Sequence, residues 1–226
     1  MVDLVSLVFE PKLENIMTKP ELIILEGAWF DPHETPKVLP YFNALANTND
    51  DIQLKHRTIR NAEDISHYVS RIEEGAQVML YFACHGKDGK LAPDDEGQYV
   101  TESELLDALD QAPDGAISFV HFGCCEMVSK INRRKWHEDI LEASGARWCS
   151  GYTQSVDWLP STLLDMALVS EVFVPHRSAS DGRSAPLKKK ADAFLKSYEQ
   201  LARSMGFSAF SHVSAGQLLF PSRLNK

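Results

Sequence analysis

AQVMLYFACHG, residues 76–86, and AISFVHFGCCE, residues 116–126, are the two stretches that decide the fold. Each begins as an apolar run of strand length, too continuous for a sheet with one wet face and typical of a central parallel strand buried on both sides. Each then breaks into residues with chemistry to offer. The first ends in Cys84-His85-Gly86 and the second in Gly123-Cys124-Cys125-Glu126.

Outward from this pair, strands and helices alternate. Upstream, Leu22 to Trp29 (LIILEGAW) reads as a buried strand, Lys37 to Ala46 as a Pro-bounded helix, and Gln53 to Ile59 as a more polar strand. Between Glu63 and Glu74, the residues Ile65, Tyr68, Val69 and Ile72 recur at i, i+3, i+4 and i+7, which predicts one helical stripe ending at Gly75. Residues 87–100 (KDGKLAPDDEGQYV) have the composition of a loop or small hairpin. Thr101 and Glu104 form a capping box ahead of Leu105, Leu106 and Leu109, so a helix leads into the strand Ala116 to Gly123.

Downstream, a charged helix is expected within Met127 to Ala143, a fifth strand over Arg147 to Val156, and an apolar helix from Pro160 to Phe173. Residues 175–186 (PHRSASDGRSAP) read as an exposed loop; composition favours a plain connection over a processing site. From Leu187, the residues Ala191, Phe194, Leu195, Tyr198, Leu201, Ala202 and Met205 make one long helical stripe before Gly206. The expectation is an α/β fold, a mainly parallel central sheet with helices on both faces, forming one domain over 1–226. Its first 20 residues carry little signal.

Composition narrows the function. The 226 residues are 44% hydrophobic, enough for one large core, and carry a net charge of −9, the wrong sign for a protein that neutralises phosphates. No nucleic acid is therefore expected as a partner. The short basic clusters Arg133-Arg134-Lys135 and Lys188-Lys189-Lys190 read as solvated helix faces. Four cysteines are too few for a disulfide scaffold in a chain of this length, and no apolar run approaches the roughly 18 residues of a membrane span. The sequence thus reads as a cytoplasmic protein with reduced thiols and no membrane partner.

In doubly covered parallel sheets ligands bind beyond the carboxyl ends of the strands, which is where His85 and Cys125 fall. A cysteine hydrolase needs a thiolate, an imidazole to handle its proton and donors for the oxyanion. Cys125 supplies the sulfur, His85 the base and later acid, and the N–H groups of Gly86 and Cys125 the oxyanion hole. A zinc site from Cys84, His85, Cys124 and Cys125 is disfavoured, because adjacent strand residues diverge and no local chelating pair is present. No metal and no cofactor are expected.

YFACHG, GCCE and the downstream GYTQSVDWLPSTLL together resemble the caspase-like (clan CD) cysteine peptidases, in particular the CHAT-type branch that also includes likeness to separase. On that pattern Cys125 matches the nucleophile, Cys124 the small residue before it, His85 the base and Gly86 the glycine after it. The chain departs from caspases proper, which carry Gln-Ala-Cys-Arg-Gly, and Met127-Val128 stands where the CHAT-type pattern has Thr-Gly. The resemblance implies a cysteine endopeptidase acting on a protein or peptide substrate, with a separately encoded activator protein as a further partner. It also implies that Asp157 lines a pocket for a basic side chain, although an Asp beside a strand end is more often a helix cap or turn residue. The non-enzymatic alternative is a caspase-like scaffold or binding module whose site is idle.

Overall fold

The structure is a computed structural model that describes residues 19–28, 37–94, 98–128, 132–174, 184–211 and 217–219. The two deciding stretches lie side by side at the centre of a seven-stranded sheet. In chain order the strands are β1 (Glu21–Glu26), β2 (Gln53–Thr58), β3 (Val78–Ala83), β6 (Ile117–Phe122), β7 (Trp148–Tyr152), β8 (Phe207–Ser211) and β9 (Gln217–Leu219). A separate hairpin pairs β4 (His85–Lys87) with β5 (Lys90–Ala92). The sheet order is β2-β1-β3-β6-β7-β8-β9, with parallel pairing from β2 to β7 and antiparallel pairing for β8 and β9.

Every residue of β3 and β6 is buried, as their unbroken apolar character requires. Side chains alternate between two cores. One core takes Leu80, Phe82, Cys84, Val120, Phe122 and Cys124 against the helices α2 (Ala62–Val69), α3 (Glu102–Leu109) and α4 (Arg133–Ser144). The other takes Ile24, Met79, Tyr81, Phe119 and Trp148 against α1 (Leu39–Thr48), α5 (Trp158–Leu168), α6 (Ser184–Ser197) and α7 (Glu199–Ser204). Helices therefore cover both faces.

Local signals explain most helix limits. Thr101 and Glu104 form the expected capping box on α3, Asn61 Oδ1 accepts the Asp64 N–H at the start of α2, and Gly145 closes α4 in the left-handed region at φ 64°. Four expectations are corrected. Helix α2 ends at Val69, because the Arg71 and Ile72 N–H groups turn back to Tyr68 and Val69, three residues upstream, and tighten the chain. The apolar helix after the fifth strand finishes in a π-helical turn, Val169–Phe173. The long last stripe is two helices, broken at Tyr198, with α6 starting at Ser184, inside the expected loop of 175–186. Residues 175–183 of that loop, and 1–18 of the N-terminal segment, lie outside the described residues. Finally, β8 and β9 extend the sheet beyond the five expected strands. Among the described residues, no helix is long and apolar enough to cross a membrane.

Candidate active site

The sheet brings both junctions to one rim. Phe82 lies opposite Phe122 in the parallel register, and the Gly123 N–H donates to Phe82 O at 2.9 Å. Just past them the sulfurs of Cys84 and Cys124 stand 3.7 Å apart, both fully buried on the α2–α4 face. Two residues further, Gly86 is packed onto the cysteine loop: a Cβ there would lie 2.3 Å from Cys125 O and 3.1 Å from Cys124 Cβ. Only glycine fits that approach.

His85 opens the β4–β5 hairpin and does not close β3, as the sequence suggests. It is partly buried, and that burial lowers its imidazole pKa below the ordinary histidine value. Cys125 is likewise partly buried. Its Sγ accepts the Val156 N–H at 3.4 Å and lies 3.8 Å from Val156 O. Burial raises the Cys125 pKa above the usual thiol value, and the neighbouring Cys124 and Glu126 add to this, while the Val156 N–H works in the opposite direction.

The loop that carries Cys125 is strongly constrained. Glu126 sits at φ 52°, a left-handed conformation that costs a non-glycine residue of order 1 kcal/mol. Main-chain bonds hold it there: Glu126 N–H to Gln154 O at 3.2 Å, Val128 N–H to Tyr152 O at 3.0 Å, and Gly89 N–H to Glu126 O at 3.0 Å. Asp157 occupies the N-cap position of α5, exposed and making no capping bond with its side chain, one residue beyond the peptide that touches Cys125. The structure thus gathers Gly86, Cys125 and Val156 into direct contact, with His85 and Asp157 as their chain neighbours. Sequence reasoning missed Val156, whose role is played by its main chain and leaves no side-chain signal. Among the described residues no group of three or more His, Cys, Asp and Glu side chains is placed to hold a metal ion.

A buried polar cluster lies on the α5 face below the rim. Asp165 of α5 accepts from Tyr81 Oη at 2.8 Å and Tyr152 Oη at 2.6 Å, and its Oδ1 meets His121 Nε2 at 2.6 Å. His121 Nδ1 is 2.7 Å from Ser150 Oγ, which also accepts from Trp148 Nε1 at 2.8 Å. His121 is therefore packed and paired, as its place within a strand suggests. The visible signals for the cluster were a histidine inside an apolar strand and an aspartate inside an apolar helix.

No family model matches the chain, and no curated protein matches it. Among solved structures, it is similar to an inactive zymogen of a C11 protease from Parabacteroides distasonis (TM-score 0.54, 11% identity, covering 88% of this chain and 64% of that one). It is also similar to a secreted C11 cysteine protease from Bacteroides thetaiotaomicron held by an irreversible peptide inhibitor (0.49, 13%, 87% and 67%). A third is the Arg-specific cysteine proteinase gingipain R (0.46, 12%, 83% and 44%). The chain thus spans about two thirds or less of these proteins' lengths. At 11% identity the likeness to the first of these is one of fold: a caspase-like α/β sheet covered by helices on both faces.

Proposed function

We propose that this chain is a cysteine endopeptidase in which Cys125 is the nucleophile and His85 its base, with a junction pattern of the CHAT-type branch. The observation that carries the reading is the contact between the two strand ends. Cys84 and Cys124 meet on the α2–α4 face. Gly86, the residue after His85, is packed onto the main chain of Cys125, whose sulfur in turn meets the Val156 main chain beside the N-terminus of α5.

Electrostatics select the order of events. With the imidazole pKa lowered and the thiol pKa raised, the resting pair is neutral at pH 7. His85 therefore takes the Cys125 proton as sulfur attacks the carbonyl carbon, rather than starting from a preformed ion pair. The oxyanion is held by the Gly86 and Cys125 N–H groups. The resulting imidazolium gives its proton to the leaving amine, and a water deprotonated by His85 then releases the acyl group and restores the thiol. Asp157, exposed at the same rim, selects a basic side chain before the scissile bond. A separately encoded activator protein belongs to the same reading.

The test is labelling with a thiol-reactive peptidyl probe followed by turnover of a fluorogenic peptide library. Cys125→Ala and His85→Ala are expected to abolish both, and Asp157→Ala to lower turnover of Arg and Lys peptides by about tenfold or more, relative to neutral ones. Labelling indifferent to both Cys125 and His85 would favour an idle scaffold.

A further inference from the structure

Three polar side chains stand four residues before three positions of the rim: Tyr81 before His85, His121 before Cys125, and Tyr152 before Val156. Each lies in the strand that leads to that position: Tyr81 in β3, His121 in β6 and Tyr152 at the end of β7. All three converge on one group, the Asp165 carboxylate, across β3, β6 and β7. Asp165 itself belongs to α5, the helix whose N-cap is Asp157. One carboxylate therefore ties together β3, β6, β7 and α5, the four elements that lead into the rim.

The cluster also touches the nucleophile's loop. A Cβ at Gly123 would lie 2.5 Å from Tyr81 Oη and 2.8 Å from two ring carbons, so the Tyr81 ring is the floor on which the turn into Cys124 rests. The rings of Tyr81 and His121 stack at 5.5 Å and 14°. Burial, then the charge of Asp165, raise both phenol pKa values well above the ordinary one, so both hydroxyls remain donors. Stability alone gives little reason for such a cluster: an apolar core of the same volume is commonly as stable as a buried charged network. What directed hydrogen bonds add is a fixed register among the strands they join.

We infer that Asp165, through Tyr81, His121 and Tyr152, is a positioning residue that sets the relative height of the His85, Cys125 and Val156 segments for catalysis. This rests on the peptidase reading above. It assigns Asp165 no contact with substrate; its effect reaches the reaction through the strands.

The experiment compares wild type with Tyr81→Phe, Tyr152→Phe and Asp165→Asn, each at a concentration of active sites set by titration with a peptidyl chloromethyl ketone. The substrate is the fluorogenic peptide best turned over by wild type. Loss of a single hydroxyl is expected to lower kcat about tenfold or more, with KM unchanged within about twofold, and to leave alkylation of Cys125 by iodoacetamide at the wild-type rate. The phenylalanine variants keep the test decisive if Asp165→Asn does not fold. A lowered melting temperature with wild-type kcat per titrated site would overturn the inference and leave the peptidase reading standing. Wild-type labelling that does not depend on His85 would remove both.

Discussion

Cys125 stands apart from the other three thiols by burial alone: Cys84, Cys124 and Cys149 are fully enclosed, and Cys125 is partly open beside Val156. Ellman's reagent is therefore expected to find one fast thiol in the native protein and four after denaturation, with the fast one lost in Cys125→Ser. Its alkylation rate should climb with pH to an inflection above the usual thiol value, since burial disfavours the thiolate, and show no plateau in the acid range. The acid limb of peptide turnover should fall at a pH below the ordinary histidine value, following His85. A second titration belongs to His137, buried in α4 with Nε2 3.0 Å from Ser208 Oγ; burial, then the Arg133 charge, lower its pKa to about 3. The unfolded chain takes up that proton first as pH falls. Stability is then complete above the unfolded value near 6.5 and is lost towards pH 3, by about 1.4 kcal/mol per pH unit from this group. Denaturation midpoints of His137→Phe should show a shallower acid slope. At this scale the reading of Cys125 rather than Cys124 as nucleophile comes from the residues around it, and the structure adds that Cys125 is the more open of the two. The depth of each sulfur was not, because it depends on which face of the sheet each helix covers.

Gly86 and the hairpin it belongs to show what an element contributes that a motif does not. The neighbouring pair Cys-His reads as a strand end, yet the chain turns at Cys84 and starts β4 at His85, so the base rides on a hairpin laid against the cysteine loop. Gly86→Ala would press a methyl group into Cys125 O, a main-chain atom with little room to yield. The expected result is a loss of about 1–3 kcal/mol in stability, read from denaturant midpoints, and about a hundredfold in turnover. Helix limits were legible where a capping residue marks them, as at Thr101, and not where tertiary contacts decide. Ile72 continues the apolar period of α2 and is buried, but it gets there from a tightened turn. Strand β8 follows directly on Gly206, and its five residues, FSAFS, alternate too briefly to announce a strand. Its burial comes from antiparallel pairing with β7, a contact between segments more than fifty residues apart.

Across the whole molecule, one sheet separates two cores that share their strands residue by residue. Trp136 lies in the α2–α4 core and Trp148 in the other. Variants retaining only one of these tryptophans are expected to report the same midpoint in urea, because neither core can lose its half of β3 or β6 without exposing the other. Separate midpoints would count against a single domain over this chain. The alternation of strands and helices was legible because it follows from local periodicity. The lacing of the rim was not, since it is made by main-chain groups of loops. Its bonds run from Gly89 to Glu126, from Glu126 to Gln154, from Val128 to Tyr152, and from Thr153 to Gly206. Loops at the open end of a parallel sheet ordinarily trade their amide protons for deuterium early. Here the amides of Gly89, Glu126, Val128 and Thr153 each lie in a shared seam, so they should pick up the isotope late and together, more like a strand than like the surface turns they are.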